Sequence, residues 1–263
     1  MRVVVKVGTS TLTHQTGHLN IRHIENLCRV MSDLKNAGHE LVLVSSGAIG
    51  MGVGKLSLKE RPQDMPTKQA AAAVGQCELM YTYDRLFSEY GHTVAQILLT
   101  GEDMNNPQRY ENFQNTIRRL LELGVLPVIN ENDTVSTEEI TVGDNDTLAA
   151  IVARGARAEL LILLTDIDGL YTADPRQDQK AKRIPVVEEI TPELMARAGG
   201  RGSSLGTGGM ATKLHAAWLC QQEQIATVIA NGADPDVLYN IFEGKPAGTL
   251  FTGGMKNEYA GNS

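Results

Sequence analysis

Residues 2–11 read RVVVKVGTST. After Arg2 the run is apolar without alternation, which marks a strand covered on both faces, and the one charge inside it, Lys6, falls at the strand's C-terminal end, shortly before a glycine. Strands of this kind belong to parallel sheets, whose crossovers are helices lying on each side. The same pattern recurs at residues 40–44, 93–98, 126–129, 160–164 and 226–230, all short and β-branched. Between these strands, helices are expected over residues 21–37, 67–90, 107–123, 144–154, 191–198 and 210–222. The expected fold is therefore α/β. Residues 135–142 place Thr and Val around acidic residues and predict a small hairpin outside the main sheet. The polar, turn-rich stretch near 165–185 reads as a long loop, and a soft boundary is placed near Arg157.

The composition narrows the partners. A chain of 263 residues with 42% in the hydrophobic set can bury one large α/β core or two fused lobes. Its 24 Lys and Arg against 31 Asp and Glu give a net charge of -7, which provides no general attraction to nucleic acid or anionic lipid. The three cysteines, Cys28, Cys77 and Cys220, are widely spaced and fit neither a disulfide frame nor a zinc site. A reducing cytoplasm suits them. The start lacks the apolar run of a signal peptide, and no segment has the length and hydropathy of a membrane span.

Three Gly-rich segments follow strands or open helices: residues 6–11 (KVGTST), 45–54 (SSGAIGMGVG) and 206–213 (GTGGMATK). All three are read as loops in which glycine lets backbone N–H groups approach oxyanions. A P-loop is excluded, because Ile49 stands where it needs Gly and Leu56 where it needs Ser or Thr. Residues 206–211 match G-x-G-x-x-A, but AGGRGSSL before them is no strand, so a dinucleotide fold is excluded too. Lys6 and Lys213 remain, one at a strand tip and one in the first turn of a helix behind a Gly-rich loop. Such a pair can hold a polyphosphate.

Residues 128–146 read VINENDTVSTEEITVGDND and crowd acids and amides around one short segment. Asn130 and Asp133 follow a buried strand, where open sheets bind their ligands. Asp144 serves equally well as a helix cap. Asp166 and Asp168 follow LLILL, with Asp168-Gly169 a strong turn signal and Thr165-Asp166 at the strand tip. None of the six histidines falls within this cluster or at a strand tip with a motif. That favours a nucleophile already ionised at neutral pH, such as a carboxylate with pKa about 4.3, although Asp133 or Asp146 remains available as a base.

Together VVVKVGTSTLT, LVLVSSGAIGMG, KQAAAAVGQ, QILLT, VLPVINENDTVSTEEITVGDNDTLAA, LLTDIDGLYTADPR and GTGGMATKLHAA resemble the amino acid kinase family, and most closely its glutamate-directed members. The resemblance covers nearly the whole chain. It implies a three-layer αβα sandwich around a largely parallel eight-stranded sheet, with glutamate bound over residues 1–157 and ATP over residues 158–263. Carried over, Ser46, Gly47, Ala48, Asn130, Asp133 and Asn145 would bind glutamate. Gly8, Thr165, Asp166, Thr207, Gly208, Gly209, Met210, Ala211, Thr212 and Lys213 would bind ATP together with Lys6. Lys6 and Lys213 would flank the transferring phosphoryl group, held by Asp146. Mg²⁺ would ride on the nucleotide phosphates, with no metal site built from protein side chains.

The resemblance further implies the first step of proline biosynthesis, proline as feedback inhibitor, a homo-oligomer and contact with a glutamyl phosphate reductase. Many family members continue into a C-terminal domain of the PUA type, and this sequence stops at Ser263, so the kinase domain alone is expected. The competing readings are a kinase for N-acetylglutamate or carbamate, and a catalytically silent amino-acid sensor of the same fold.

Overall fold

The structure is a computed structural model, and it describes residues 1–14, 18–135, 145–175, 178–199 and 209–253. The elements run β1 (Arg2–Val7), α1 (Thr9–Leu12), α2 (Ile21–Asn36), β2 (Glu40–Ser45), α3 (Ala48–Lys55), α4 (Met65–Ser88), β3 (Val94–Leu99), α5 (Gly101–Asn105) and α6 (Pro107–Glu122). They continue with β4 (Leu126–Glu131), α7 (Asn145–Ala156), β5 (Leu160–Thr165), β6 (Val186–Val187), α8 (Pro192–Gly199), α9 (Gly209–Gln222), β7 (Ala226–Asn231), α10 (Val237–Phe242) and β8 (Thr249–Phe251). The strands form one eight-stranded sheet in the order β3-β4-β2-β1-β5-β7-β8-β6. Pairing is parallel except between β7 and β8. The expected largely parallel sandwich is the fold observed.

Alternation along the strands decides which helix layer each side chain meets. Val4, Val42, Val44, Ile129, Leu161 and Leu163 face a core shared with α6, α7 and α9. Val3, Val5, Val7, Leu41, Leu43 and Val128 face the opposite core, shared with α2, α4 and α10. By the same period Lys6 lies on the side of α7 and α9, while Asn130 lies on the side of α4. The β1, β2, β4 and β5 tips all end at one edge, because their parallel registers align Lys6 with both Val44 and Leu163.

Helix α4 begins cleanly, with Asp64 Oδ1 accepting from Thr67 N and Pro66 in its first turn. It then crosses α3 at backbone contact. A Cβ on Gly75 would stand 1.8 Å from Ala48 O, and one on Gly52 would stand 1.8 Å from Ala71 O. That crossing corrects the reading of residues 45–54 as a loop, since α3 occupies everything from Ala48 onward. Glycine disfavours an isolated helix by about 1 kcal/mol per residue, but here its missing side chain is what lets two helices touch. The hairpin expected at 135–142, from residue 136 on, and the capping role of Asp144 fall on residues outside those described.

Candidate active site

Lys6 and Lys213 converge on one carboxylate. Lys6 Nζ lies 2.6 Å from Asp146 Oδ1 and Lys213 Nζ 3.0 Å from Asp146 Oδ2. All three residues are buried. Strand β1 supplies Lys6 from the C-terminal end of the central strands, α7 supplies Asp146 in its first turn, and α9 supplies Lys213 one turn from its start. Lys213 Nζ also donates to Gly209 O at 3.1 Å, and Thr212 Oγ1 donates to Asp146 Oδ2 at 2.9 Å. Burial alone would push the Asp146 carboxyl up, but Lys6 and Lys213 outweigh it and hold the group below the usual carboxylate range. Two cations on one anion leave the cluster with a formal charge of +1. A bound anion would meet that surplus.

Beside it, a cleft of about 450 Å³ is lined by Ser46, Gly47, Ala48, Asn130, Asp133 and Asn145 together with residues of the α3–α4 connection. Gly47 adopts the left-handed φ of 102°, which turns the chain from β2 into α3 and which glycine adopts without strain. Asn145 Nδ2 donates to Ser46 Oγ at 2.6 Å and to Asn130 Oδ1 at 3.1 Å. Asn130 Oδ1 also accepts from Glu131 N at 2.9 Å, and Asn130 Nδ2 donates to Gln76 Oε1 at 2.9 Å. Burial, and then the neighbouring Glu131 carboxylate, push the Asp133 carboxyl up to about 6. A cation arriving next to Asp133 would reverse that shift.

The six cleft residues predicted from sequence thus share one cavity, and the predicted Lys6–Asp146–Lys213 cluster forms. Thr165 and Asp166 stand at the tip of β5, joined by a 3.0 Å bond from Thr165 Oγ1 to Asp166 Oδ1. Gly8 is the N-cap of α1. Gly209 to Lys213 open α9 rather than continuing a loop, and Thr207 and Gly208 lie outside the described residues. The Met210 side chain is buried in the core with α7.

Sequence reasoning missed Thr9, Thr13, His14 and Glu131 as lining residues. Glu131 carried a signal, since it continues the strand that bears Asn130.

An αβα sheet with two lysines at its edge beside an amide-lined cleft defines a phosphoryl-transfer class, and residues 1–231 match the amino acid kinase family, to which this chain belongs. Relatives named glutamate 5-kinase match along nearly the whole chain. That of Clostridium tetani is 54% identical over 249 residues, covering 95% of this chain and 93% of that protein. That of Caldanaerobacter subterraneus subsp. tengcongensis is 54% identical over 257 residues, covering 98% of this chain and 69% of that protein. Among solved structures, T. acidophilum isopentenyl phosphate kinase superposes with a TM-score of 0.67 at 17% identity, covering 95% of this chain and 100% of that one. UMP kinase from Ureaplasma parvum gives 0.67 at 16% identity, covering 95% and 98%. These two share the fold.

Proposed function

We propose that this chain transfers the γ-phosphoryl group of ATP to the γ-carboxylate of L-glutamate, giving L-glutamyl 5-phosphate and ADP, the first step of proline biosynthesis. The observation that carries the reading is the buried Lys6–Asp146–Lys213 cluster set against the Ser46–Asn145–Asn130 cleft. Relatives of this identity and coverage carrying the name glutamate 5-kinase support it.

In this scheme a γ-carboxylate oxygen forms the new bond to phosphorus, and the bond from phosphorus to the ADP oxygen breaks. The nucleophile is already ionised, so no proton has to move and no general base is required. Lys6 and Lys213 act electrostatically on the charge that spreads over the phosphoryl oxygens and the leaving group. Asp146 fixes both ammonium groups, and without it the two like charges would lose the ion that holds them together. Ser46, Gly47, Ala48, Asn130 and Asn145 hold the carboxylates of glutamate, and Asp133 meets the α-ammonium.

Glutamate sits over the half of the sheet built from β1 to β4. ATP sits over the half from β5 to β8, on Thr165, Asp166 and the segment from Thr207 to Lys213, with Gly8 beside its phosphates. Among the described residues no group of three His, Cys, Asp or Glu side chains could hold a metal ion. Both oxygens of Asp146 already face lysines. These residues do not fit a resident metal, so Mg²⁺ would be carried by the nucleotide's own phosphates.

Proline is proposed to compete in the glutamate cleft, the chain to form a homo-oligomer, and the acyl phosphate to pass to a glutamyl phosphate reductase. A cytoplasmic location belongs to the same proposal. Among the described residues no helix is long and apolar enough to cross a membrane.

The test is glutamate-dependent ADP release with hydroxylamine present, which traps the acyl phosphate as a hydroxamate. N-acetylglutamate and carbamate serve as alternative acceptors. Hydroxamate formed from glutamate is the expected result. ADP release only with another acceptor, or with none, would overturn the substrate or the activity respectively.

A further inference from the structure

Gln76 is not among the residues lining this cleft and carries no charge, yet it is buried and ends the chain of amide contacts that begins at Ser46. We infer that Gln76 is a positioning residue that sets the polarity of the glutamate cleft by fixing the orientation of the Asn130 amide; the inference rests on the glutamate reading above.

An asparagine amide has one accepting end and one donating end, so its orientation is chosen by what surrounds it. Asn130 Oδ1 receives two donors, Glu131 N and Asn145 Nδ2, at 2.9 and 3.1 Å. Turned over, Asn130 would set its own N–H groups against both of them. The orientation observed requires an acceptor on the other side, and Gln76 Oε1 is that acceptor at 2.9 Å.

The consequence runs forward to the cleft. With Asn130 oriented this way, Asn145 Nδ2 has one hydrogen on Asn130 Oδ1 and the other directed at Ser46 Oγ, 2.6 Å away. Ser46 Oγ accepts from Asn145 and keeps its own hydrogen to donate. A hydroxyl that must donate suits a carboxylate. Gln76, two residues back along this chain from Asn145, selects for an anion without touching it.

The helix that bears Gln76 cannot easily drift. Gly75 is the next residue, and its contact with Ala48 O sets α4 directly against the turn carrying Gly47 and Ala48. One helix therefore supports both walls of the cleft: one through Gly75, at backbone distance, and one through Gln76, by a buried hydrogen bond.

The experiment is a double-mutant cycle. Gln76→Met keeps the volume but removes the acceptor, leaving Asn130 Nδ2 buried without a partner. It should raise the KM for glutamate roughly tenfold, equivalent to about 1.4 kcal/mol, with the KM for ATP unchanged. Added to Ser46→Ala, it should raise the glutamate KM by less than about threefold further, because both act through one chain. Gln76→Glu, which retains an accepting oxygen, should stay nearer wild type than Gln76→Met.

An unchanged glutamate KM in Gln76→Met, additive effects with Ser46→Ala, or equal effects on glutamate and ATP would overturn the inference. Failure of both Gln76 variants to fold would overturn it too, by making the residue a core element. Wild-type protein that makes no hydroxamate from glutamate would instead overturn the activity itself, which separates the two failures.

Discussion

The Lys6–Asp146–Lys213 cluster and the Ser46–Asn145–Asn130–Gln76 chain lie side by side and are built from opposite materials. The first is three full charges held within 3.0 Å contacts and buried; the second is neutral groups handing hydrogens to one another. Buried charge acts at long range and changes most in value when charge moves, whereas a neutral hydrogen bond specifies direction and shape. The difference teaches a division of labour. In the proposed reaction the charged cluster should govern the rate of transfer, and the amide chain should govern which acceptor is bound.

The sharpest way to break this division is Lys6→Ala or Lys213→Ala. Each should lower kcat by about 10²-fold or more, with little change in the glutamate KM, as steady-state kinetics with each substrate varied will show. A near-normal kcat in either variant would remove that lysine from the chemistry. Asp133→Asn should act in the other column, raising the glutamate KM by about 30-fold while the ATP KM holds, because a half-buried carboxylate facing a ligand cation is worth about 2 kcal/mol. Comparable wild-type activity on N-acetylglutamate, which has no ammonium to meet Asp133, would refute that role.

Asp133 also predicts a pH profile. Its carboxyl sits at about 6, raised by burial and then by Glu131, so it becomes protonated as pH falls through 6 and loses its attraction for an ammonium. The kcat/KM for glutamate should fall toward tenfold per pH unit below about 6, and that limb should be missing in Asp133→Asn. The same group predicts a small gain in stability. A carboxyl with a raised pKa opposes folding at pH above that value and ceases to do so as it protonates. Discounted for partial exposure, Asp133→Asn should stabilise the free protein at pH 8 by about 1 kcal/mol, read as a Tm rise of roughly 2–4 °C that vanishes near pH 4. A Tm that falls at pH 8 would show that the raised carboxyl is held by a contact the substitution breaks.

Much of this was legible in the sequence, and the reasons differ by region. The apolar runs of β1, β2, β4, β5 and β7 announced a covered parallel sheet, and β2, β4, β5 and β7 each proved one or two residues longer than the apolar run because the polar tip residues belong to the strand as well. Lys6 and Lys213 were legible as a pair because each breaks a local rule, one charge in an apolar strand and one behind a Gly-rich segment. Helix α3 was not legible. Its glycines at 50, 52 and 54 argue against a helix by propensity, and the one at 52 is explained only by the approach of α4, about twenty residues away, where Ala71 O leaves no room for a Cβ. Strand β6 escaped for another reason: at two residues it is too short to show a period. Gln76 was hidden inside an alanine-rich helix, where a polar residue looks like a solvated one until its partner is seen.

The pairing of β1 with both β2 and β5 carries a mechanical implication. Lys6 stands on a strand hydrogen-bonded along both sides, so the two halves of the sheet share one ladder with no slack between them. Swinging one half against the other would shear that ladder, and adjustment must come from the segments above the edge. The spacing between acceptor cleft and lysines therefore behaves as a gauge set by the stiffness of the sheet. An acceptor shorter than glutamate by one methylene would fall about 1.5 Å short of the phosphoryl group, a gap that a rigid frame cannot close and that is enough to cost 10²-fold or so in rate.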